Sequence, residues 1–540
     1  MADRSSIEWW RGAVIYQVYP RSFQDTNGDG IGDLAGITQR LDHIASLGVD
    51  AVWISPFFKS PMADYGYDVE DYRAVDPMFG SLGDFDHLLE KAHKLGLKLL
   101  VDLVPCHTSD RHHWFQEARQ SRDNVKADWY VFAEPKEDGT PPNNWLSIFG
   151  GVAWTFEPRR GQYYLHNFLP SQPQLNWHNP AVRDAFLAEA EFWLERGVDG
   201  FRVDAIDFAL HDPELKNNPV RPRDSATVGG FVPGMPFSRQ IHLGQKNHPA
   251  LPEKVLRPLK ALAERYDAFL IGEMSGDRSA ERLAAYTDGG GLDAAYTFEL
   301  LRSTADPTSI SRVSDDVECH IGAGWASYSM SNHDVTRASS RFGPHDQAEA
   351  FQPLLTAILC SLRGTICLYQ GEELGLTEAE LAFEDLRDPY GINFFPAFKG
   401  RDGCRTPMPW RGHEQNAGFT TGKPWLPVPI SHQALAVDRQ EGDPHSVLNR
   451  TRRFLHWRQN QPALLTGDIR ILEDKAPILA LVRKNGDQRL LCVFNLSAGT
   501  AVFEAPEPIQ IDAGSDFEAR FDDQTITLEA YGAFFGSMNA

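Results

Sequence analysis

At 540 residues the chain is too long for one simple hydrophobic core, so one large domain with smaller satellites is expected. Its net charge of −22 argues against nucleic acid or an anionic membrane as partner, because both need a basic surface; a neutral small molecule is unaffected. The opening Met1-Ala2-Asp3-Arg4-Ser5-Ser6 lacks the apolar centre of a signal peptide, and no run of about 18 apolar residues reads as a membrane span. A soluble, cytoplasmic monomer or homodimer is the expectation.

Residues 13–20 read as a first strand. An acidic loop follows, then Leu34, Ile37, Leu41, Ile44 and Leu47 at helical spacing, closed by Gly48, and a second strand from Val49 to Ser55. The same sentence recurs at 84–104, where a helix ends at Gly96 and feeds the strand 97–102. It recurs again at 179–204, where Asn179 can cap, Pro180 fits the first turn, and Gly197 stops the helix before the strand carrying Arg202 and Asp204. Later copies end in Phe269-Leu270-Ile271-Gly272-Glu273 and Thr365-Ile366-Cys367-Leu368-Tyr369. Alternating helix and buried strand predicts a parallel sheet, and this many repeats predicts a closed (β/α)8 TIM barrel.

Three interruptions leave from strand C-terminal ends, the face where barrel enzymes keep their sites. Residues 106–177, rich in Trp, Pro, Asn and Gly, are too long for an ordinary loop and predict a small inserted domain after the third strand. Residues 209–250 and 371–440 are the other two. Beyond about 467 short alternating strands flank Asn485-Gly486, a hairpin signal, and predict a C-terminal antiparallel β-sandwich domain. The expected division is barrel at 1–105 and 178–466, insertion at 106–177 and sheet domain at 467–540. Six scattered cysteines show no metal-type pairs and no disulfide framework.

In Gly200-Phe201-Arg202-Val203-Asp204, period two aims Arg202 and Asp204 the same way. An arginine so placed keeps the carboxylate ionised, as a nucleophile requires, although a plain salt bridge at a strand end fits the pair alone. Asp102, Glu273 and Ser331-Asn332-His333-Asp334 close other strands, and in a barrel such ends converge on one pocket. Mutual repulsion and burial then raise at least one carboxyl while Arg202 holds Asp204 anionic. That is the division between nucleophile and acid that glycoside cleavage needs.

At this point the sequence resembles the α-amylase family of glycoside hydrolases over nearly its whole length, with a closer likeness to bacterial α-glucosidases and oligo-1,6-glucosidases. The likeness rests on Asp102-Leu103-Val104-Pro105-Cys106-His107, Gly200 to Asp204, Ile271-Gly272-Glu273 and Asn332-His333-Asp334, in family order. The resemblance implies Asp204 as nucleophile, Glu273 as general acid/base and Asp334 as a third carboxylate that binds sugar hydroxyls. His107 and His333 would donate to hydroxyls of the glucose, Tyr67 would stack on its ring, and Asp64 would bind its non-reducing end. Arg202, Phe149 and Phe168 complete the implied substrate-binding set. Either Arg401 or Arg405 would pair with Asp64 and close the pocket behind one glucose, with Arg401 the better match. No organic cofactor is implied. Small α-glucosides are the implied substrates, with α-1,4 links favoured because Ala205 stands where oligo-1,6-glucosidases carry Val. Glucosyl transfer to alcohols or sugars, sucrose isomerisation or trehalose synthesis would use the same carboxylates; a non-catalytic amylase-like binding domain would have lost them.

Two departures stand out. Cys106 occupies the position of an Asn that helps bind calcium in α-amylases, and Gln174 replaces an Asp of the family's fifth signature. A metal is expected elsewhere, in Asp25-Thr26-Asn27-Gly28-Asp29-Gly30-Ile31-Gly32-Asp33. Asp25, Asn27, Asp29, Ile31 and Asp33 alternate as in a calcium loop, but Gly36 stands where an EF-hand needs Glu. The loop resembles the subfamily's calcium or magnesium loop and would hold one structural Ca2+ or Mg2+. A simple acidic turn fits the same residues.

Overall fold

The computed structural model describes residues 8–222, 236–275, 278–304, 306–343, 348–515, 517 and 519–538. Residues 223–235 of the second interruption lie outside that set, as does the opening hexapeptide. Eight strands form the central sheet: β1 (Val14–Val18), β2 (Ala51–Ile54), β3 (Lys98–Leu103), β4 (Gly200–Val203), β5 (Phe269–Met274), β6 (Ala294–Thr297), β7 (Ser327–Ser329) and β8 (Thr365–Tyr369). Their spatial order is β6-β5-β4-β3-β2-β1-β8-β7, with parallel pairing throughout. A parallel bridge between Ala295 and Ala326 brings the two edges together.

Period two sorts the strand residues into two cores. Ile15, Trp53, Leu100, Ile271, Tyr296 and Cys367 point inside the barrel, and Val14, Tyr16, Val52, Leu99, Val101 and Leu103 pack outward against the helices. The inward parity, continued towards the C-terminal ends, carries Asp102, Arg202, Asp204 and Glu273. Gly200 is required where β4 runs against β5, since a Cβ there would meet the carbonyl oxygen of Phe269 at 2.0 Å.

Between strands the helices begin as their sequences dictate. α1 (Leu34–Ser46) is capped by Asp33, which accepts the Gly36 N–H at 2.7 Å, and buries Ile37, Leu41 and Ile44. α2 (Leu82–Lys94) opens on a Ser81/Asp84 capping box. α3 (Pro180–Glu195) has Asn179 as cap and Pro180 in its first turn, and Gly197 leaves it at φ +100°. The first strand is shorter than the 13–20 expected, because Pro20 opens a 3-10 turn at Pro20–Ser22.

Between β3 and α3 a three-stranded antiparallel sheet (Phe132–Ala133, Trp154–Glu157 and Gln162–Leu165) packs around Trp145, Trp154 and Leu165. After α-helix Val447–Arg458 the chain enters an antiparallel sheet built on the hairpin Ile478–Asn485/Gln488–Asn495, in which Asn485 faces Gln488. A second, three-stranded sheet covers it, and Ala480, Val482, Leu491, Val493, Ile526, Leu528 and Phe534 fill the space between. All six cysteines are unpaired. Among the described residues no helix is long and apolar enough to cross a membrane.

Candidate active site

Register sets the centre of the site. Asp102 on β3 faces Arg202 on β4, and Glu273 on β5 faces Tyr296 on β6. The fully buried Arg202 guanidinium is the hub: Nη1 lies 2.8 Å from Asp102 Oδ1 and 2.6 Å from Asp204 Oδ1, and Nη2 pairs with Glu273. Nε and Nη2 also donate to the Tyr296 hydroxyl at 3.1 and 2.9 Å, and that hydroxyl donates to Glu273 Oε2 at 3.2 Å. Behind it, Trp53 donates to Asp102 Oδ2 at 3.2 Å while its ring lies 4.8 Å beneath the guanidinium.

His333 stands next to this cluster with its tautomer set by its partners. Gln17 Nε2 can only donate, so His333 Nδ1, 2.8 Å away, accepts and Nε2 carries the hydrogen. Nε2 then donates to the Tyr67 hydroxyl at 2.6 Å, and Tyr67 donates to Asp102 at 3.1 Å. The Tyr67 and His333 rings stack at 5.3 Å.

Opposite, Arg401 Nη2 lies 3.0 Å from Asp64 Oδ1, and its Nη1 lies 3.0 Å from Asp334 Oδ1. Asp388 grips the same guanidinium at 2.8 and 3.1 Å. Arg405 does not reach Asp64; it binds the His333 carbonyl at 2.7 Å and Asp334 Oδ1 at 3.1 Å. Of the two arginines, Arg401 is the one that pairs with Asp64. Gln172 ties Asp64 Oδ2 and His107 Nε2 together, each at 3.0 Å, while His107 Nδ1 is buried without a partner. One pocket is lined by Asp64, Tyr67, His107, Phe149, Phe168, Asp204, Glu273, Asp334 and Arg401. Arg202 lies beneath its floor and His333 behind Tyr67. Phe208, Phe298, Arg302 and Tyr390 add to the rim.

Burial pushes Asp204 up to about 7; Arg202 pulls it down, and Asp102 and Asp334 push it up again. The expectation that Arg202 keeps Asp204 ionised is thus outweighed by desolvation and by the neighbouring acids. The low carboxyl is Asp334. Burial would raise it, but His333, Arg401, Arg405 and Arg202 hold it well below the usual carboxylate range. Burial also keeps His333 far below 6.5, so the lasting pull on Asp334 comes from the arginines. Asp64 is raised to about 6 by burial against the pull of Arg401, and His107 is lowered to about 4 by burial.

Tyr296, Gln17, Trp53 and Asp388 belong to the site but not to the set read from the sequence. Tyr296 was findable as the inward residue of a sixth strand. Cys106, at the departure from the family pattern, donates its thiol to the Ala205 carbonyl at 3.0 Å, and Ala205 itself sits in the left-handed region at φ 39°, ψ 39°.

The Asp25–Asp33 loop lies apart from the pocket. Asp25 Oδ1 accepts the Asn27 and Gly28 N–H groups at 2.9 and 2.8 Å, and Oδ2 accepts Gly30 N–H at 2.8 Å and the Thr420 hydroxyl. Asp33 accepts from Thr26 and Gly36. Asn27 and Asp29 each accept one backbone N–H and remain exposed. The donors suit a hard cation in type, but Asp25 and Asp33 would have to give up or share these hydrogen bonds. Among the described residues no group of three or more His, Cys, Asp or Glu side chains forms a metal-holding set.

A family model described as the α-amylase catalytic domain matches residues 17–467. A probable α-glucosidase of Rhizobium meliloti (strain 1021) is 52% identical over 98% of this chain and 97% of its own. An oligo-1,6-glucosidase of Parageobacillus thermoglucosidasius is 37% identical over 93% of this chain and 92% of its own. Among solved structures, that of an α-glucosyl transfer enzyme, XgtA, superposes with a TM-score of 0.96 at 54% identity, covering 98% of this chain and 99% of that one. With carboxylates gathered at the C-terminal ends of an eight-stranded barrel and likeness along nearly its full length, the chain belongs to the α-amylase family of glycoside hydrolases.

Proposed function

We propose that the chain is a retaining α-glucosidase that removes one terminal α-glucosyl unit from small α-glucosides. The observation that carries this reading is the single Arg202 guanidinium bonded to both Asp204 and Glu273. Two carboxyl groups drawn to one guanidinium support the close pairing that a retaining mechanism needs, whereas an inverting pair stands farther apart to admit a water. Asp204 attacks the anomeric carbon as Glu273 gives its proton to the departing oxygen, forming a glucosyl-Asp204 ester. Glu273 then takes a proton from water, which cleaves the ester. Asp64, Arg401, His107 and Asp334 hold hydroxyls, Tyr67 packs on the ring, and His333, expected to hold a hydroxyl as well, instead stands behind Tyr67 and orients it. Proton NMR of 4-nitrophenyl α-glucoside hydrolysis tests this: α-glucose appears first, and β-glucose appearing first would overturn it. Glu273→Gln should be rescued by azide on a substrate with a good leaving group, giving α-glucosyl azide, because azide opens the β-linked glucosyl-Asp204 ester from the face Glu273 served.

The Asp64/Arg401 pair supports a pocket closed behind one glucose, so maltose should far outpace starch. Ala205 at the rim supports a preference for α-1,4 over α-1,6 links. A second reading, glucosyl transfer, is favoured by the likeness to the α-glucosyl transfer enzyme and by the aromatic rim of Phe168, Phe208, Phe298 and Tyr390. Maltose or sucrose with an added alcohol separates the outcomes: alkyl α-glucosides mark transfer, a rearranged disaccharide marks isomerisation, and glucose alone marks hydrolysis. A Ca2+ or Mg2+ held by Asn27, Asp29, the Ile31 carbonyl, Asp25 and Asp33 would serve stability and not catalysis, since the loop does not line the pocket.

A further inference from the structure

Arg21 is a buried cation that the catalytic cluster does not use. Only 6% of it is exposed, and among the described residues no carboxylate forms a direct ion pair with it, the charge of Asp76 acting from farther off. Its Nη2 meets the Met78 sulfur at 3.1 Å, and its Nε has no partner. Burying a guanidinium without a counter-ion is costly, and here aromatic faces compensate: the rings of Tyr65, Trp425 and Phe79 lie 5.1, 5.2 and 5.7 Å from it.

Two of those rings lead to the pocket. Tyr65 follows Asp64 directly in a left-handed conformation, φ +51°, which turns its ring away from the pocket and onto Arg21 and Trp425. Its hydroxyl donates to the Arg387 carbonyl at 2.8 Å, so it ties the Asp64 turn to the segment that supplies Asp388 and Arg401. Trp425 lies 6.3 Å from Tyr19, whose ring stacks on His333 at 5.7 Å and lies 5.3 Å from the Arg405 guanidinium. The base of Trp425 is held by its own N–H on the Gly30 carbonyl at 3.0 Å and its indole N–H on Ser22 Oγ at 3.0 Å. The cation therefore sits where the strand-one loop, the Asp64 turn and the 387–425 segment meet.

We propose that Arg21 is a positioning residue for the terminal-glucose subsite: by clamping Tyr65 and Trp425 it holds Asp64 in register with Arg401, and so sets affinity for the glucosyl unit more than the rate of bond cleavage. The inference rests on reading Asp64 and Arg401 as the wall behind that glucose. It is tested in the full-length chain with Arg21→Met, Arg21→Lys, Asp64→Asn and the Arg21→Met/Asp64→Asn double variant. Steady-state kinetics on 4-nitrophenyl α-glucoside and calorimetric Kd for D-glucose, which needs no turnover, are the readouts. Arg21→Met should weaken glucose and raise KM about ten-fold, the size of one buried cation–π contact, with kcat within about two-fold. Arg21→Lys should recover most of the loss. In the Asp64→Asn background the same change should alter Kd less than about two-fold, because the group it positions is gone. A lowered thermal midpoint with unchanged KM and Kd, or an equal effect in both backgrounds, would overturn the proposal. Should Arg21→Met fail to fold, Trp425→Leu must show the same KM pattern, and an unchanged KM there also overturns it. Asp64→Asn binding glucose like the wild type would instead refute the wall on which the inference rests.

Discussion

Asp204→Asn should abolish turnover and yet stabilise the protein, in a way that depends on pH. The carboxyl is largely buried, with 7% of the residue exposed to the pocket, and is lifted from its usual 3.8 to about 7. Each unit is worth about 1.4 kcal/mol, so folding with this group ionised costs on the order of 4 kcal/mol well above pH 7. Asn resembles the neutral acid, can still accept from Arg202 and leaves that guanidinium with Asp102 and Glu273. The sign follows from linkage. An acid whose folded pKa is raised weakens the fold as pH climbs from its unfolded value to its folded one, so the variant gains nothing near pH 4 and its full advantage above 7. With unfolding entropy of about 2.1 cal/mol/K per residue, that advantage is a thermal midpoint about 3 °C higher at pH 8, shrinking to about 1 °C at pH 5. Because the proton is shared among neighbouring acids, about 4 kcal/mol is a ceiling. Scanning calorimetry on both proteins at the two pH values is the assay. A variant that melts at or below the wild type at pH 8, or whose gain is the same at both values, refutes the reasoning.

Kinetics should report the same group: the acidic limb of kcat/KM is expected to bend near 7, because Asp204 must be ionised to attack, and a limb near 4 would contradict its burial. Tyr296→Phe removes charge-assisted bonds to Arg202 and Glu273 and should lower kcat/KM about 10- to 100-fold, with an unchanged value counting against a role for that hydroxyl. EDTA should lower the thermal midpoint more than it lowers the rate at mild temperature, with Ca2+ or Mg2+ restoring it; an unchanged midpoint and no metal by elemental analysis would leave the loop a self-bonded acidic turn. Ala205→Val should move the maltose/isomaltose ratio of kcat/KM towards isomaltose. The left-handed backbone there strains a β-branched residue, so total activity falls as well and only the ratio tests the reading.

The barrel was legible because its punctuation is local. Asn179-Pro180 opens a helix and Gly197 ends one wherever they occur, and strands buried on both faces read as apolar runs. The sixth strand escaped for the converse reason: Ala294–Thr297 follows three glycines and contains two alanines, so it shows no apolar run until its neighbours are in place. Tyr296 went with it. Asp204, Glu273 and Asp334 stood out through their motifs, but the ionisation of Asp204 did not, because the sequence displays Arg202 beside it and hides both the burial and the approach of Asp102. A spacing of four, as on a helix, left both Arg401 and Arg405 open, with Arg401 the better match. The segment instead makes a 3-10 turn over Asp402–Cys404, so one guanidinium goes to Asp64 and the other to His333.

The pairing of β1 with β8, Val14 against Ile366, has a consequence for synthesis. The first strand leaves the ribosome with one neighbour, β2, close behind it and the other some 350 residues away, so during most of translation the growing sheet carries two unpaired parallel edges. Open edges on a half-built sheet recruit other chains. A chain stopped before β8 leaves one flank of β1 bare and lacks Arg401, the counter-ion of Asp64, so shortened products of this gene are destined for chaperones, proteases or aggregates and not for partial activity.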